Sequence, residues 1–429
     1  MKKAVHLIII IGIVLYFSAS ITSCRDESDT ILSYAYDNRD TSNFDEACAS
    51  FEGQFKAFWT AMNCNYPIWD YEEKFGMDWD KVYDEYLPKF CALDERARVQ
   101  HDSVTNEELG NLYRDIIRPL HDGHLEINIK NLHAYTPNNL LYSVYDSLQP
   151  SIIRNKSCRK DYDDIETSLD FYSKSRQIVE HKKSYRCEYA CFSDQILYLR
   201  IKDFKLSESM ADSSSNNQVR TIWFSWFNKV QELDEKGSLK GIIIDIRNNH
   251  GGYGNDYQYA LGALQGSDFE DKEVHLTGFL RIKTGVGRLD YSPLIPLYFP
   301  LYQNRHAIIS KEPIVVLANC NTASTAEHTC IGAKQLKNGH VIGTQTWGAL
   351  APLNEGDYSE TYAGIVGERF STPFYLYIPS AAFFTIDGEI LESIGVAPDI
   401  EIELDNELYK STGRDNQLER ALEFIRTGK

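Results

Sequence analysis

Ser324 stands between the apolar run Pro313-Ile314-Val315-Val316-Leu317-Ala318 and the segment Thr325 to Lys337, which reads as a helix. A strand, a short turn and a Ser at a helix start present a hydroxyl beside unpaired amides and the positive end of the helix dipole. Such a site suits a nucleophile whose reaction develops an oxyanion. Ser is also an ordinary helix N-cap, so the residue alone does not decide between capping and chemistry. His328 follows four residues later on the same helical face, below the hydroxyl, where a core role fits better. His250 precedes Gly251-Gly252 and could line a cleft. Cys187-x3-Cys191 is half of a zinc-ligand pattern, but no second pair with ligand spacing follows, so no metal is expected.

The elements that must position Ser324 can be read from period and punctuation. Phe51, Phe55, Phe58, Trp59 and Met62, then Trp79, Val82, Tyr83, Tyr86 and Leu87, recur at helical steps, and Asn106 to Ile117 ends before Pro119. These define an N-terminal helical domain over residues 45–120. The stretch 125–190 has no clear period. From Gln195 the texture becomes α/β: strands at 196–201, 241–246, 313–318 and 341–343, helices from Val219 to Leu233 and from Ser324, and a closing amphipathic helix after Asp415. The expected domains are a connecting segment over 121–194 and a catalytic core over 195–429.

The order of three segments carries more than any one of them. Ile243-Ile244-Asp245-Ile246-Arg247-Asn248-Asn249-His250-Gly251-Gly252, then Ala323-Ser324-Thr325-Ala326-Glu327, then Val341-Ile342-Gly343-Thr344-Gln345-Thr346-Trp347-Gly348 resembles the core of the C-terminal-processing and tricorn-core serine peptidases. Asp387-Gly388 to Glu392-Ser393-Ile394-Gly395-Val396-Ala397-Pro398-Asp399 resembles that family's closing signature, and Asp122-Gly123-His124 extends the likeness. The resemblance implies an α/β (α+β) fold, with a crotonase-like ββα spiral core after the small helical domain. It also implies a Ser324 nucleophile. The branch with a Ser-Lys dyad carries its lysine where this chain has Ala349. The likeness is therefore to the tricorn-like branch, in which a His before the core acts as base, here His124. That branch has a Ser before its His, where this chain has Gly123. Glu392 is the expected orienting acid, with Asp122 as a nearby substitute. Gly251 or Gly252, lacking Cβ atoms, can bring an amide to a substrate carbonyl, and with the Thr325 amide they form the expected oxyanion hole.

The implied activity is hydrolysis of peptide bonds through a Ser324 acyl-enzyme, without cofactor. The alternative is a non-catalytic peptide- or small-ligand-binding lipoprotein on the same fold, since fold does not fix function. No Gly-Leu-Gly-Phe-like carboxylate-binding loop occurs in 125–190, so recognition of C-terminal tails does not follow. The 44 Lys and Arg against 62 Asp and Glu, for a net charge of −18, argue against a nucleic-acid partner. At the N-terminus, Lys2 and Lys3 precede the apolar run from Leu7 to Phe17, and Ile21-Thr22-Ser23-Cys24 resembles a lipoprotein box. The expectation is a signal peptide over 1–23, lipidated Cys24, a tether over 24–44, and a cell-envelope location anchored to the outer membrane.

Overall fold

The computed structural model describes residues 50–99, 104–129, 169–214, 217–264, 276–298, 311–353, 365–366 and 374–429. Cys24 and the signal and tether segments lie outside the described residues.

Helices Phe51–Asn65, Trp69–Lys74, Trp79–Val99 and Asn106–Ile117 form the N-terminal unit. Ser50 and Thr105 cap the first and last, each side chain accepting an amide from the first turn. Asp94, from the third helix, accepts the amides of Phe51 and Glu52 at 2.8 Å. The aromatic residues that set the period face inward: Phe55, Phe58, Trp69, Trp79, Phe90 and Tyr113 are buried in one cluster.

The strands in chain order are β1 (Glu126–Ile129), β2 (Ile178–Lys183), β3 (Cys187–Phe192), β4 (Ile196–Ile201), β5 (Gly241–Asp245), β6 (Leu276–Ile282) and β7 (Ile295–Tyr298). They continue as β8 (Ile314–Ala318), β9 (Gly339–Gly343), β10 (Ile365–Val366), β11 (Phe374–Tyr377), β12 (Ala381–Thr385) and β13 (Ile400–Glu401). A seven-stranded sheet has the order β13-β9-β8-β5-β4-β3-β2. From β4 to β13 its pairings are parallel, whereas β2-β3 and β3-β4 are antiparallel. The aperiodic stretch before residue 195 thus supplies two strands to this sheet. β3 is buried along its whole length, and burial on both faces removes the alternation by which a strand is recognised.

Side chains of the central strands alternate between two cores, as the period of two requires. Ile242, Ile244, Ile314 and Val316 meet Trp223, Trp226 and Phe227 of helix Gln218–Glu235 and Ala326 and Cys330 of helix Thr325–Gln335. Ile243, Val315 and Leu317 meet Leu418, Ala421 and Leu422 of the closing helix Asn416–Thr427. The observed class is the expected mixed α/β fold with a helical N-terminal region. The helical unit is sealed to the rest by β1 pairing antiparallel with β11, which sends Leu376 into the N-terminal core.

Because β5, β8 and β9 are neighbours and parallel, the loops at their carboxyl ends emerge side by side, the position where α/β sheets bind ligands. The β5 loop is anchored by a buried charge cluster. Arg247 bonds both oxygens of Asp245 and both of Asp415, the N-cap of the closing helix, and also Gln417. Burial alone would raise the Asp245 pKa, but the charge and hydrogen bonds of Arg247 outweigh it and hold the group at about 2. A carboxyl depressed in the folded state contributes stability above its unfolded pKa. That contribution is expected to be lost as pH falls from about 4 to about 2. Replacing Arg247 by Ala removes the ion-pair partner bonded to two buried carboxylates and is expected to cost about 3–5 kcal/mol in urea unfolding at neutral pH.

Candidate active site

Ser324 follows a turn held by its own polar side chains. Asn319 N–H donates to Thr322 Oγ1 (3.0 Å), Thr322 Oγ1 donates to the Ile246 carbonyl (3.0 Å), and Asn248 N–H donates to Asn319 Oδ1 (3.0 Å). Ala323 N–H donates to the Asn249 carbonyl at 2.9 Å. The loops after β5 and β8 are therefore one bonded unit. Ser324 has φ +57° and ψ −126°. Ser50, Thr105, Asn217, Asp405 and Asp415 cap other helices of the chain with extended backbone and negative φ. Ser324 is not an ordinary cap. A non-glycine residue held in such a region costs on the order of 1–3 kcal/mol, a strain typical of functional sites.

Gly251 packs directly against it. A Cβ on Gly251 would lie 2.6 Å from Ser324 Cβ and 3.1 Å from its Oγ, and φ is +93°. Gly251 N–H donates to Asn249 Oδ1 at 2.8 Å, so that amide is engaged inside the loop. This corrects the expectation that Gly251 donates to an oxyanion: it serves by lacking a side chain. The amides of Gly252 and Thr325 have no acceptor among the described residues, and Thr325 Oγ1 donates to the Gly252 carbonyl at 2.8 Å. Two free donors are thereby clamped together beside Ser324.

His124 sits between Gly123 and β1. Asp122, fully buried, accepts the amides of His124 (2.7 Å) and Leu125 (2.9 Å) on one carboxylate oxygen. The His124 imidazole is partly buried and its Nδ1 has no hydrogen-bond partner. Burial, then the neighbouring His328, pushes its pKa down to about 4, against an opposing pull from the Ala351 carbonyl. His328 is likewise lowered to about 4 by burial, against the Leu350 carbonyl, which lies 3.0 Å from its Nε2. His250 is exposed.

Glu392 approaches His124 through the backbone. One oxygen accepts Gly123 N–H at 3.2 Å, and the other accepts the amides of Leu350 (2.6 Å) and Ala351. Burial, then the charge of Asp122, raises the Glu392 pKa well above the carboxylate range; Asp122 is raised in turn, chiefly by burial. No carboxylate bonds the imidazole among the described residues.

The two departures at positions 123 and 349 are spatially one. A Cβ on Gly123 would run into the Gly348 carbonyl and lie 2.6 Å from Ala349 Cβ. Glycine and alanine let the His124 segment lie against the loop after β9, and Trp347 Nε1 donates to the Gly123 carbonyl at 3.4 Å. Sequence reasoning gave no duty to Asn249, Thr346 or Glu327. For Glu327 the signal was present as the Ser-x-x-Glu spacing, which by itself reads as a capping box. Among the described residues no group of three or more His, Cys, Asp and Glu is placed to hold a metal ion.

Residues 195–402 match the family model described as Peptidase family S41. Over 191 residues the chain is 27% identical to the tricorn protease of Thermoplasma volcanium, covering 44% of this chain but 15% of that protein. The chain thus spans a small fraction of the length of this relative. In three dimensions it is similar to a protein of Parabacteroides merdae provisionally described as a peptidase, with a TM-score of 0.59 and 19% identity over 88% of this chain and 96% of the other. It is also similar to mature CPAF in complex with lactacystin, with a TM-score of 0.58 and 12% identity over 89% of this chain and all of the other.

Gly251→Ala tests the packing around Ser324. With φ positive and Cβ against the Ser324 side chain, the substitution is expected to slow covalent labelling of Ser324 by a fluorophosphonate at least about 10-fold, with a loss of about 1 kcal/mol or more in stability.

Proposed function

We propose that the chain is a serine peptidase that hydrolyses peptide bonds through a Ser324 acyl-enzyme, with His124 as general base. The observation that carries this reading is the strained Ser324 beside two uncommitted amides, at the carboxyl ends of adjacent parallel strands. Ser324 Oγ attacks the scissile carbonyl while its proton passes to His124. The carbonyl oxygen becomes an anion held by the Gly252 and Thr325 amides. Collapse of the tetrahedral intermediate breaks the C–N bond, and His124 returns the proton to the leaving amine. Water, activated by the same imidazole, then hydrolyses the ester. Glu392 and Asp122 hold the His124 segment by accepting the amides of Gly123, His124 and Leu125.

Peptides or unfolded proteins are the proposed substrates. A signal peptide and lipidated Cys24 would anchor the enzyme in the cell envelope, a reading supported by the N-terminal sequence.

The deciding experiment is labelling of the purified chain with a fluorophosphonate. Wild type is expected to be labelled and Ser324→Ala not at all. His124→Ala is expected to react about 10²–10⁴-fold more slowly. Equal labelling of wild type and Ser324→Ala would remove the nucleophile assignment. The pH profile gives an independent check. A base lowered to about 4 is neutral above that value, so kcat/KM should rise as pH climbs through about 4 and stay level to neutrality. A midpoint near 6.5 would count against His124 in its observed surroundings.

A further inference from the structure

The proposed mechanism leaves one buried acid of the site without a duty. Glu327 is fully buried, and its carboxylate accepts four hydrogen bonds. One oxygen takes Thr346 Oγ1 at 2.5 Å and Gly348 N–H at 2.7 Å. The other takes Ser324 N–H at 3.1 Å and Ala349 N–H at 2.7 Å. A capping-box Glu needs only the N-cap amide. The other three donors come from the loop after β9, about twenty residues on, and contribute nothing to starting a helix.

That loop is the surface on which the His124 segment rests. Gly123 abuts the Gly348 carbonyl and Ala349, and Trp347 reaches the Gly123 carbonyl. One carboxylate oxygen is therefore shared between the amide of Ser324 and the amide of Ala349, against which the segment carrying His124 packs. The remaining acceptors of the loop come from Glu392, which takes the next two amides, Leu350 and Ala351, together with Gly123.

We propose that Glu327 is a positioning residue that fixes the Ser324 turn relative to the segment carrying His124, and so sets the rate at which Ser324 attacks. This rests on the peptidase reading. One oxygen faces two backbone amides, Ser324 N–H and Ala349 N–H, and the other faces Gly348 N–H beside the Thr346 hydroxyl, so an obligate donor must be met at both positions. In Glu327→Gln the amide NH2 must confront at least one backbone N–H whichever way the side chain is turned: Gly348 on one side, or both Ser324 and Ala349 on the other. Thr346→Val removes one donor and leaves each Glu327 oxygen with at least one amide, but it also takes the acceptor of Val396 N–H (2.7 Å), so its thermal unfolding is read beside its rate.

The test measures fluorophosphonate labelling rate, kcat and KM on a peptide substrate, and thermal unfolding for the full chain and both variants. Glu327→Gln is expected to lower kcat and labelling rate about 30-fold or more, with KM within about 3-fold of wild type and the pH midpoint unmoved. Thr346→Val is expected to lower kcat by roughly 3–10-fold with the same split. A folded Glu327→Gln with wild-type kcat overturns the proposal, as does a rise in KM that accounts for the whole loss. If Glu327→Gln fails to fold, Thr346→Val decides, and an unchanged kcat there overturns it. If wild type is not labelled at Ser324, the peptidase reading falls and this proposal with it. If wild type is labelled and the variants match it, this proposal alone falls.

Discussion

Four consecutive amides, from Gly348 to Ala351, point at two buried carboxylates, and the geometry of the site depends on that arrangement. Glu327 takes the first two and Glu392 the second two. Buried N–H groups must find acceptors, and here the acceptors are delivered by the helix after Ser324 and by a turn near the C-terminal end. The same carboxylates also take Ser324 N–H and Gly123 N–H. Burying acids is costly unless hydrogen bonds surround them, and these two are surrounded. The loop is thereby fixed from both sides, with Ser324 on one and the His124 segment on the other.

Desolvation acts on every ionisable group nearby, with different consequences. It makes the imidazoles of His124 and His328 neutral and disfavours a second charge beside either. It also raises Asp122 and Glu392 toward neutrality. Arg247 lies elsewhere, with Asp245 and Asp415, where strong pairing offsets burial and stabilises the scaffold beneath the loops.

Much of this was legible in the sequence. The apolar runs at 241–246 and 313–318 are strands because burial on both faces demands unbroken aliphatics. The helical repeats of Phe51 to Met62 and Trp79 to Leu87 show the stripe that packs the N-terminal unit. Ser324 and the Gly251-Gly252 pair could be singled out by position. Less legible was anything resting on long-range hydrogen bonds. That Gly251 would spend its amide on Asn249, or that Glu327 would reach Gly348, depends on three-dimensional register. Strands β2 and β3 were hidden for a different reason: the exposed, charged β2 and the wholly buried β3 each lack alternation.

The pairing of β1 with β11 joins residues 126–129 to 374–377, across almost 250 positions of chain. Together with Glu392, it means that no N-terminal fragment can assemble the site, however well its own helices fold. The geometry of the site is withheld from the growing polypeptide and is completed only when distant parts of the chain have met. A chain still being made carries Ser324 without the neighbours that set its geometry.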